Sequence, residues 1–340
     1  MHFQEGTACD LPQIKIENIL PEIGNDELIK DILEGLTCAN KHISSKFFYD
    51  EVGSKLFEEI TRLPEYYIPR IEKSLIREAA IHLQESLKDR DIIEFGCGDC
   101  SKISLLLQSV PEENLDSIRY IPVDISPSAV QESVETLLDN YFGLEVHGIL
   151  ADFVKQVESI PGKGKRIFCM FGSTIGNLSR EQGVQFCASV SKNMRPGDIF
   201  LLGMDMVKNR DVMYRAYNDH RNVTAKFNGN ILNVVNALLG TNLDPNYFKH
   251  LAFFNEKQAR IEMHLRAMKD IETFSPYSST KITVKNGETI HTENSHKFTK
   301  EHINELAKTA GLKVQKIFTD KDNWFSLVQF TKDARRDFHD

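Results

Sequence analysis

Short apolar runs alternate with segments of helical period through the middle of the chain, between residues 92 and 207. The first run, residues 91–95, leads through Gly96 and Gly98 into a helical pattern that begins at Lys102. This alternation predicts a parallel α/β sheet with right-handed crossovers. The later strand-like runs end at Asp124, Asp152, Thr174 and Gly203, and the helical patterns between them lie at 127–141 and 179–194.

The pattern changes on both sides of this central sheet. Apolar residues recur at helical spacing at 25–36 and at 72–87, which predicts two helices before the first strand. Residues 209–236 and 244–248 predict helices and loops without strands. The segment 260–266 alternates apolar and polar residues and predicts a strand with one apolar face.

A hairpin is predicted further along. Residues 281–284 and 288–291 have strand character and flank Asn286-Gly287, a dipeptide that favours a tight β-hairpin turn. The remaining predicted elements are a helix at 300–311 and an antiparallel strand pair at 312–318 and 324–330.

The fold class expected is α/β, with a Rossmann-like sheet and a second α+β domain built from discontinuous segments. We expect residues 71–206 and 298–340 to form the sheet domain. We expect residues 15–70 and 207–297 to form a substrate-binding domain, with a cleft between the two. Residues 1–14 are polar, lack periodicity and are expected to be a flexible leader.

Composition and net charge limit the kinds of molecule that we expect the protein to bind. The net charge is −8 and the pI is about 5.8, which argues against a protein that binds nucleic acid through phosphates. No run of apolar residues is long enough to span a membrane, and the first residues lack the features of a signal peptide. We therefore expect a cytoplasmic monomer that acts on a small molecule.

The spacing Cys97-x-x-Cys100 has two interpretations. Such a pair can be a redox couple or half of a metal site. No second pair with this spacing occurs, and the two cysteines lie inside the glycine turn. We expect them to be small loop residues, and we expect no metal.

The strand ends indicate the cofactor. Asp124 is placed to accept both hydroxyls of a ribose, and Asp152 to accept from an exocyclic amine while Phe153 packs on an adenine. The dinucleotide fingerprint G-x-G-x-x-G is absent, because Ser101 stands where its third glycine would be. These features fit S-adenosylmethionine better than a dinucleotide.

Four strings in the chain resemble the histidine-specific methyltransferases, which make Nα-trimethylhistidine (hercynine) on the route to ergothioneine. The resemblance runs from about residue 25 to the C-terminus, with cysteine at positions 97 and 100 where serine and threonine are more usual. It implies an S-adenosylmethionine-dependent methyltransferase sheet and transfer to the α-amino group of L-histidine. The strings are Phe48-Tyr49-Asp50-x-x-Gly53-Ser54-x-Leu56-Phe57, Leu63-Pro64-Glu65-Tyr66-Tyr67, Gly172-Ser173-Thr174-Ile175-Gly176-Asn177-Leu178 and Arg215-Ala216-Tyr217.

The resemblance also implies roles for single positions. Tyr49 and Tyr66 are the implied catalytic pair, whose hydroxyls would orient the amine. The implied cofactor site consists of Tyr49, Gly96, Lys102, Asp124, Asp152 and Phe153. The implied substrate site consists of Tyr66, Gly172, Asn177, Tyr217, Met263, Glu293 and Ser295.

The chemistry of methyl transfer to an amine limits which groups the site needs. An α-ammonium group has no lone pair and must lose a proton before it accepts a methyl group. The pKa of an α-amine is about 8, and a neighbouring sulfonium lowers it further, so we expect no strong general base. Asn177 and Tyr217 would hold the carboxylate by neutral hydrogen bonds, which keeps a cation away from the sulfonium. Glu293 and Ser295 would pair with the imidazole.

Two alternatives remain open from the sequence. The same reaction could use another aromatic amino acid or amine as the acceptor. A non-catalytic, cofactor-binding regulator would keep the fold without turnover.

Overall fold

The computed structural model describes residues 14–21 and 25–333, so the predicted leader lies outside the described residues except for Ile14. The strands are β1 (Lys15–Asn18), β2 (Arg90–Phe95), β3 (Arg119–Asp124), β4 (Glu145–Leu150), β5 (Lys165–Met170), β6 (Ile199–Asp205), β7 (Phe248–Asn255), β8 (Arg260–Ala267), β9 (Ile271–Ser275), β10 (Thr280–Val284), β11 (Thr289–His296), β12 (Leu312–Thr319) and β13 (Phe325–Lys332).

The helices are α1 (Asn25–Thr37), α2 (Glu51–Thr61), α3 (Ile68–Leu87), α4 (Ile103–Leu107), α5 (Pro127–Asn140), α6 (Phe153–Gln156), α7 (Arg180–Asn193), α8 (Arg210–Tyr217), α9 (Val223–Leu239) and α10 (Lys300–Ala310). Short 3₁₀ turns lie at Ser45–Phe48, Glu112–Ser117, Val157–Ser159, Thr174–Asn177 and Pro245–Tyr247. No helix in the described part of the chain has both the length and the apolarity needed to cross a bilayer.

Eight strands form the large sheet, in the order β1-β4-β3-β2-β5-β6-β13-β12. Strands β1 to β6 are parallel, and β13 and β12 continue the sheet in antiparallel fashion. The predicted parallel sheet and its closing strand pair are therefore confirmed. The strand order reverses between β2 and β5, and ligands of such sheets bind at the carboxyl edge near this point.

Both faces of the sheet are covered, which explains why its strands are almost continuously apolar. Neighbouring residues of β2 face opposite sides: Ile92 packs into one buried cluster and Ile93 into the other. The cluster around Ile92 continues into the second layer of the molecule, where Met263 and Val284 belong to it. One contiguous apolar core thus joins the large sheet to the C-terminal half of the second layer.

The first strand corrects a predicted boundary. Residues 15–70 were assigned to the substrate-binding domain, but β1 pairs in parallel with β4 at the edge of the large sheet. Its side chains are largely exposed, so four residues with little apolar pattern gave no sign of the pairing.

The second layer contains a three-stranded antiparallel sheet, β11-β8-β7, and a separate hairpin of β9 and β10. The predicted hairpin around Asn286-Gly287 is wrong, because β10 pairs with β9 and β11 pairs with β8. The turn itself exists, since the N–H of Glu288 donates to the Lys285 carbonyl at 2.9 Å. The Gly287 N–H donates to Ala267 at the end of β8, so the turn directs the chain onto a different strand.

Segment 207–297 leaves the large sheet and returns to it at adjacent points, which we call the neck. There the Phe298 N–H donates to the Asp205 carbonyl at 2.8 Å, and the Val207 N–H donates to the Phe298 carbonyl at 2.9 Å. The outgoing and incoming chains are thereby hydrogen-bonded side by side.

We expect Gly203→Ala in β6 to destabilise the protein by about 1–3 kcal/mol, as overpacking usually does. A Cβ at this position would overlap the carboxylate of the buried Glu72 and lie 3.1 Å from the Phe325 ring. Gly229→Ala in α9 is the matched control, because its Cβ would meet only Pro245 at 3.8 Å and alanine favours a helix. Urea denaturation measures both variants, and equal stabilities would contradict this account of Gly203.

Candidate active site

The loop after β2 lies at the carboxyl edge of the sheet and leaves room for a ligand. Gly96 (φ +73°) and Gly98 (φ +53°) have left-handed backbones, which glycine adopts without strain. The Gly96 N–H donates to the Val123 carbonyl at 2.8 Å and ties the loop to β3. A Cβ on Gly98 would meet no described atom within 4 Å.

Two acidic residues stand at the ends of the next strands, as predicted. Asp124 ends β3, and its carboxylate accepts the Ser126 N–H at 3.0 Å. Burial raises the pKa of Asp124, although backbone N–H groups oppose this shift. Asp152 follows β4 and caps α6 by accepting the Val154 N–H at 3.2 Å.

Phe153 lies beside this loop. Its ring is 5.8 Å from that of Phe95 and 6.1 Å from that of Phe186, measured between centroids. A Cβ on Gly96 would lie 3.9 Å from the Phe153 ring. The glycine turn and the predicted adenine-stacking ring are therefore neighbours.

A buried carboxylate joins two predicted site residues. Both oxygens of Glu72 accept the Gly172 N–H, at 2.7 and 2.8 Å, and the Lys102 ammonium lies 3.7 Å from one of them. Glu72 is fully buried in α3. Burial raises the pKa of Glu72, and Lys102 works against that shift. Sequence reasoning assigned Lys102 to the cofactor and Gly172 to the substrate, and it missed the acid between them.

The predicted catalytic tyrosines belong to an aromatic cluster. The Tyr66 ring lies 6.1 Å from that of Tyr217 and 6.5 Å from that of Phe57, with edge-to-face geometry. The Tyr49 ring lies 5.8 Å from Phe57 and 6.1 Å from Phe227. Such contacts hold the rings without using their hydroxyl groups.

Tyr49 lies between the two halves of the predicted site. Its ring is 36% exposed, yet desolvation by the surrounding protein raises the pKa of its hydroxyl, and the charges of Glu293 and Asp124 add to that shift. The pKa of Tyr66 is also raised, by burial first and then by Tyr217 and Glu293. Both hydroxyls therefore stay protonated at neutral pH.

Glu293 presents a carboxylate without a hydrogen-bond partner in the part of the chain that the structure describes. Burial raises the pKa of Glu293 to about 7, and the Lys297 charge opposes this shift. Its neighbour across the strands is the buried Met263 of β8. The structure thus brings together two predicted substrate residues, one apolar and one ionisable.

Ser295 and Tyr217 contact each other and a lysine that the sequence analysis did not consider. The Tyr217 hydroxyl donates to Ser295 Oγ at 2.7 Å. The Lys297 ammonium, which is fully buried, donates to Ser295 Oγ at 2.9 Å and to the Tyr217 hydroxyl at 3.1 Å. The expectation that Tyr217 works in surroundings without a cation is therefore wrong.

Asp205 compensates this buried charge. It ends β6, and one of its oxygens lies 2.7 Å from Lys297 Nζ. The Tyr67 hydroxyl donates to both Asp205 oxygens, at 2.8 and 3.0 Å, and Lys208 forms a second ion pair with the same carboxylate. Burial alone would raise the pKa of Asp205, but Lys297 and Lys208 hold it below its ordinary value. Asp205 likewise outweighs burial and raises the pKa of Lys297.

Asn177 ends the 3₁₀ turn after β5 and is half-buried. Helix α7 is capped by Ser179, in a capping box with Gln182, and Asn177 has no part in the cap. The Asn177 side chain makes no hydrogen bond to the described residues, so its amide remains available to a ligand.

Comparison with known proteins identifies the family. Residues 28–332 match the family model of the histidine-specific, S-adenosylmethionine-dependent methyltransferases. The chain belongs to this family. Among its relatives, a histidine N-alpha-methyltransferase of Mycobacterium tuberculosis is 35% identical over 318 residues, covering 93% of this chain and 98% of the relative.

Two further relatives show the range of the family. A histidine N-alpha-methyltransferase of Mycolicibacterium smegmatis is 35% identical over 302 residues, which cover 89% of this chain and 94% of that protein. A 4-dimethylallyltryptophan N-methyltransferase of Aspergillus fumigatus is 24% identical over 330 residues, which cover 92% and 94%. Relatives that match almost the whole chain are thus named for different acceptor molecules.

S-adenosylmethionine is the cofactor of this methyltransferase family, and the residues at the carboxyl edge fit it. The space above Gly98 is open, so a ligand can approach the backbone there. Asp124 uses one oxygen on the Ser126 N–H, which leaves acceptor capacity for ribose hydroxyls. Phe153 offers a ring beside the loop. When bound, the cofactor supplies an electrophilic methyl group on a sulfonium.

The two loop cysteines of this methyltransferase are packed against α5. Cys97 Sγ lies 3.8 Å from the Ala129 carbonyl, and Cys100 Sγ lies 2.7 Å from Ser133 Oγ. Burial raises the pKa of Cys100 to about 12, and it raises that of Cys97 as well. Both are free, protonated thiols, and packing accounts for them.

The residues that the sequence analysis missed differ in how clearly the sequence indicates them. Lys297 continues the period-two row of Glu293 and Ser295, and Asp205 ends a strand as Asp124 does. Both could have been found by extending patterns already recognised. Glu72 lies on α3, shortly after the motif string that ends at Tyr67, but no pattern in the sequence indicates its contacts, and only the fold reveals them.

We expect Lys297→Met to lower the free energy of unfolding by about 3 kcal/mol, because removing one partner of a buried ion pair leaves the other charge uncompensated. Lys55→Met is the control, since Lys55 forms an ion pair with Glu51 in which both side chains are more than 70% exposed, and such pairs contribute under about 1 kcal/mol. Urea denaturation at pH 7 compares the two. A loss in Lys297→Met no larger than in the control would refute the role of the network.

Proposed function

We propose that this protein methylates the α-amino group of L-histidine with S-adenosylmethionine and continues to trimethylhistidine (hercynine), on the route to ergothioneine. The observation that carries the proposal is the Glu293 carboxylate, which has no hydrogen-bond partner among the described residues and lies near Tyr49. A carboxylate without a hydrogen-bond partner favours an acceptor molecule that carries an N–H donor. The names of the two mycobacterial relatives support the choice of histidine.

The hydrogen-bond directions suit a neutral imidazole. Ser295 Oγ accepts from both Tyr217 and Lys297, so its own proton is free to be donated. An imidazole ring has one N–H and one unprotonated nitrogen. Glu293 would accept from the first and Ser295 would donate to the second.

The carboxylate of the amino acid would be held by Asn177 and Tyr217. The Asn177 amide is unengaged and can donate directly. Tyr217 donates to Ser295, but Lys297 donates to the same oxygen. Tyr217 can therefore turn its proton to the carboxylate while Ser295 keeps a donor.

Tyr49 and Tyr66 would orient the amine. The raised pKa of each hydroxyl excludes a phenolate base at neutral pH. Each oxygen can still accept one N–H of the neutral primary amine and align its lone pair, and good alignment accounts for much of the rate in such transfers. Each added methyl group removes one N–H, so packing rather than hydrogen bonds would align the tertiary amine in the last transfer. The proton leaves to water before each transfer, because the amine must be neutral to react.

The domain division predicted from the sequence enters the same proposal. Residues 71–206 and 298–340 would bind the cofactor, while 15–70, without β1, and 207–297 would bind the acceptor. Cytoplasmic location, a monomeric state and the absence of nucleic-acid binding stay predictions. A different aromatic amine as acceptor is the second candidate, favoured by the relative named for 4-dimethylallyltryptophan.

The first test is mass spectrometry of L-histidine incubated with the enzyme and S-adenosylmethionine. We expect products that carry one, two and three added methyl groups. Tryptophan and histamine serve as comparison acceptors, since one lacks the imidazole and the other lacks the carboxylate. Preference for tryptophan would favour the second candidate, and cofactor binding without turnover on any amine would favour a regulator.

The second test concerns pH. Because burial raises the pKa of Glu293 to about 7, its ionised form predominates above that pH and accepts the imidazole N–H. Histidine affinity should therefore rise from pH 6 to pH 8 in the wild type. Glu293→Gln should bind histidine about 10–100-fold more weakly at pH 8, as expected for losing a hydrogen bond to a charge.

Calorimetry in the presence of the demethylated cofactor measures these affinities. Glu272→Gln is the control, because Glu272 pairs with Lys281 on the exposed β9–β10 hairpin and should bind as the wild type does. If Glu293→Gln retained both the affinity and its full rise with pH, Glu293 would not be the imidazole acceptor.

A further inference from the structure

A second cluster of polar side chains lies on the strands that carry the acceptor residues, but on their opposite face. Glu262 and His264 alternate with Met263 along β8, and His291 of β11 is the register partner of His264. One potential ligand atom from each of Glu262, His264 and His291 lies within 4.8 Å of the others. The methyl-transfer chemistry uses none of these three.

The ligand set has the character of a transition-metal site. Two imidazoles and one carboxylate are the donors that Zn²⁺ and its first-row neighbours prefer. Glu262 Oε2 and His264 Nε2 are 3.1 Å apart, close to the separation of about 3.3 Å between two ligands at about 2 Å from a tetrahedral ion. The ligand atom of His291 lies within 4.8 Å of both.

The surroundings hold the cluster in place. The other Glu262 oxygen accepts from Asn255 and Arg260, both at 2.8 Å, which fixes the carboxylate. Asn294 Oδ1 lies 2.9 Å from His291 Nε2 and orients that ring. Partners of this kind usually accompany metal ligands and fix their orientation.

One buried atom lacks a partner. His264 Nδ1 is shielded from solvent and has no hydrogen-bond partner among the described residues, although the ring stacks on Phe253 at 5.4 Å between centroids. Leaving one nitrogen of a buried imidazole without a partner costs free energy. The hydrogen-bonding capacity of the His264 ring is therefore not fully used within the described part of the chain.

The protonation states are those that a metal requires. Burial lowers the pKa of His264 and of His291, so both rings are neutral at pH 7. The hydrogen bonds from Arg260, Asn255 and His264 outweigh burial and lower the pKa of Glu262 to about 2. The Arg260 charge next to Glu262 weakens the attraction for a cation, so we expect micromolar rather than nanomolar affinity.

We propose that Glu262, His264 and His291 bind one divalent transition-metal ion, with Zn²⁺ as the preferred probe, and that the ion clamps β8 to β11 behind the acceptor pocket. This differs from the expectation of no metal drawn from the sequence. In the sequence the three ligands form no recognisable metal motif, because Glu262 and His264 lie two residues apart and His291 lies on another strand.

The test uses tag-free, chelator-treated protein titrated with Zn²⁺ and, separately, with Mg²⁺. We expect one Zn²⁺ bound per chain with micromolar Kd, a rise in Tm of about 2–5 °C at saturation, and no response to Mg²⁺. Co²⁺ should give visible absorption bands. His264→Gln/His291→Gln should lose the Zn²⁺ binding, the Tm shift and the Co²⁺ bands.

His82→Gln is the matched control, since His82 is exposed on α3, and it should bind Zn²⁺ as the wild type does. Cofactor binding by calorimetry shows whether the double variant is folded. If that variant proves unfolded, Glu262→Gln replaces it, with the expectation of at least a tenfold weaker Kd. Absence of stoichiometric Zn²⁺ binding to the wild type, or binding that survives loss of the ligands, overturns the proposal.

Discussion

The buried carboxylate of Asp205 is the constraint on which the acceptor side depends. It ends strand β6 and pairs with Lys297 at 2.7 Å, and Tyr67 and Lys208 also contact it. Charges this deeply buried are tolerated only when they compensate each other. Because Lys297 is held in place, it can donate to both Ser295 and Tyr217. The directions of the hydrogen bonds in the pocket therefore follow from one ion pair at the end of the sheet.

A second buried acid connects the two halves of the site. Glu72 accepts the Gly172 N–H and lies 3.7 Å from Lys102, so the turn after β5 and the glycine loop after β2 share a partner. Tyr49 feels the charges of Asp124 and of Glu293. The predicted cofactor residues and the predicted acceptor residues are thus arranged around groups that belong to neither set, and the fold sets the spacing between them.

The sequence predicted what is local and repetitive. The alternation of strands and helices established the parallel sheet, and the resemblance to a known family supplied candidate site residues whose roles stay predictions. The sequence analysis failed where interacting residues are far apart in the chain. Strand β7 alternates only partly between buried and exposed residues and was not predicted, and the turn at Asn286-Gly287 was paired with the wrong strands. Lys297 was missed because a lysine is ordinarily solvated, and only its approach to Asp205 shows otherwise.

The neck has an evolutionary consequence. Since segment 207–297 departs and rejoins at hydrogen-bonded neighbours, Val207 and Phe298, it behaves as a cassette that could be exchanged between homologues without altering the order of the large sheet. The Asp205–Lys297 ion pair lies across this junction, with one partner on each side. A graft would keep Asp205 compensated only if the incoming cassette supplied cations in the places of Lys208 and Lys297, so the junction itself limits which segments the sheet can receive.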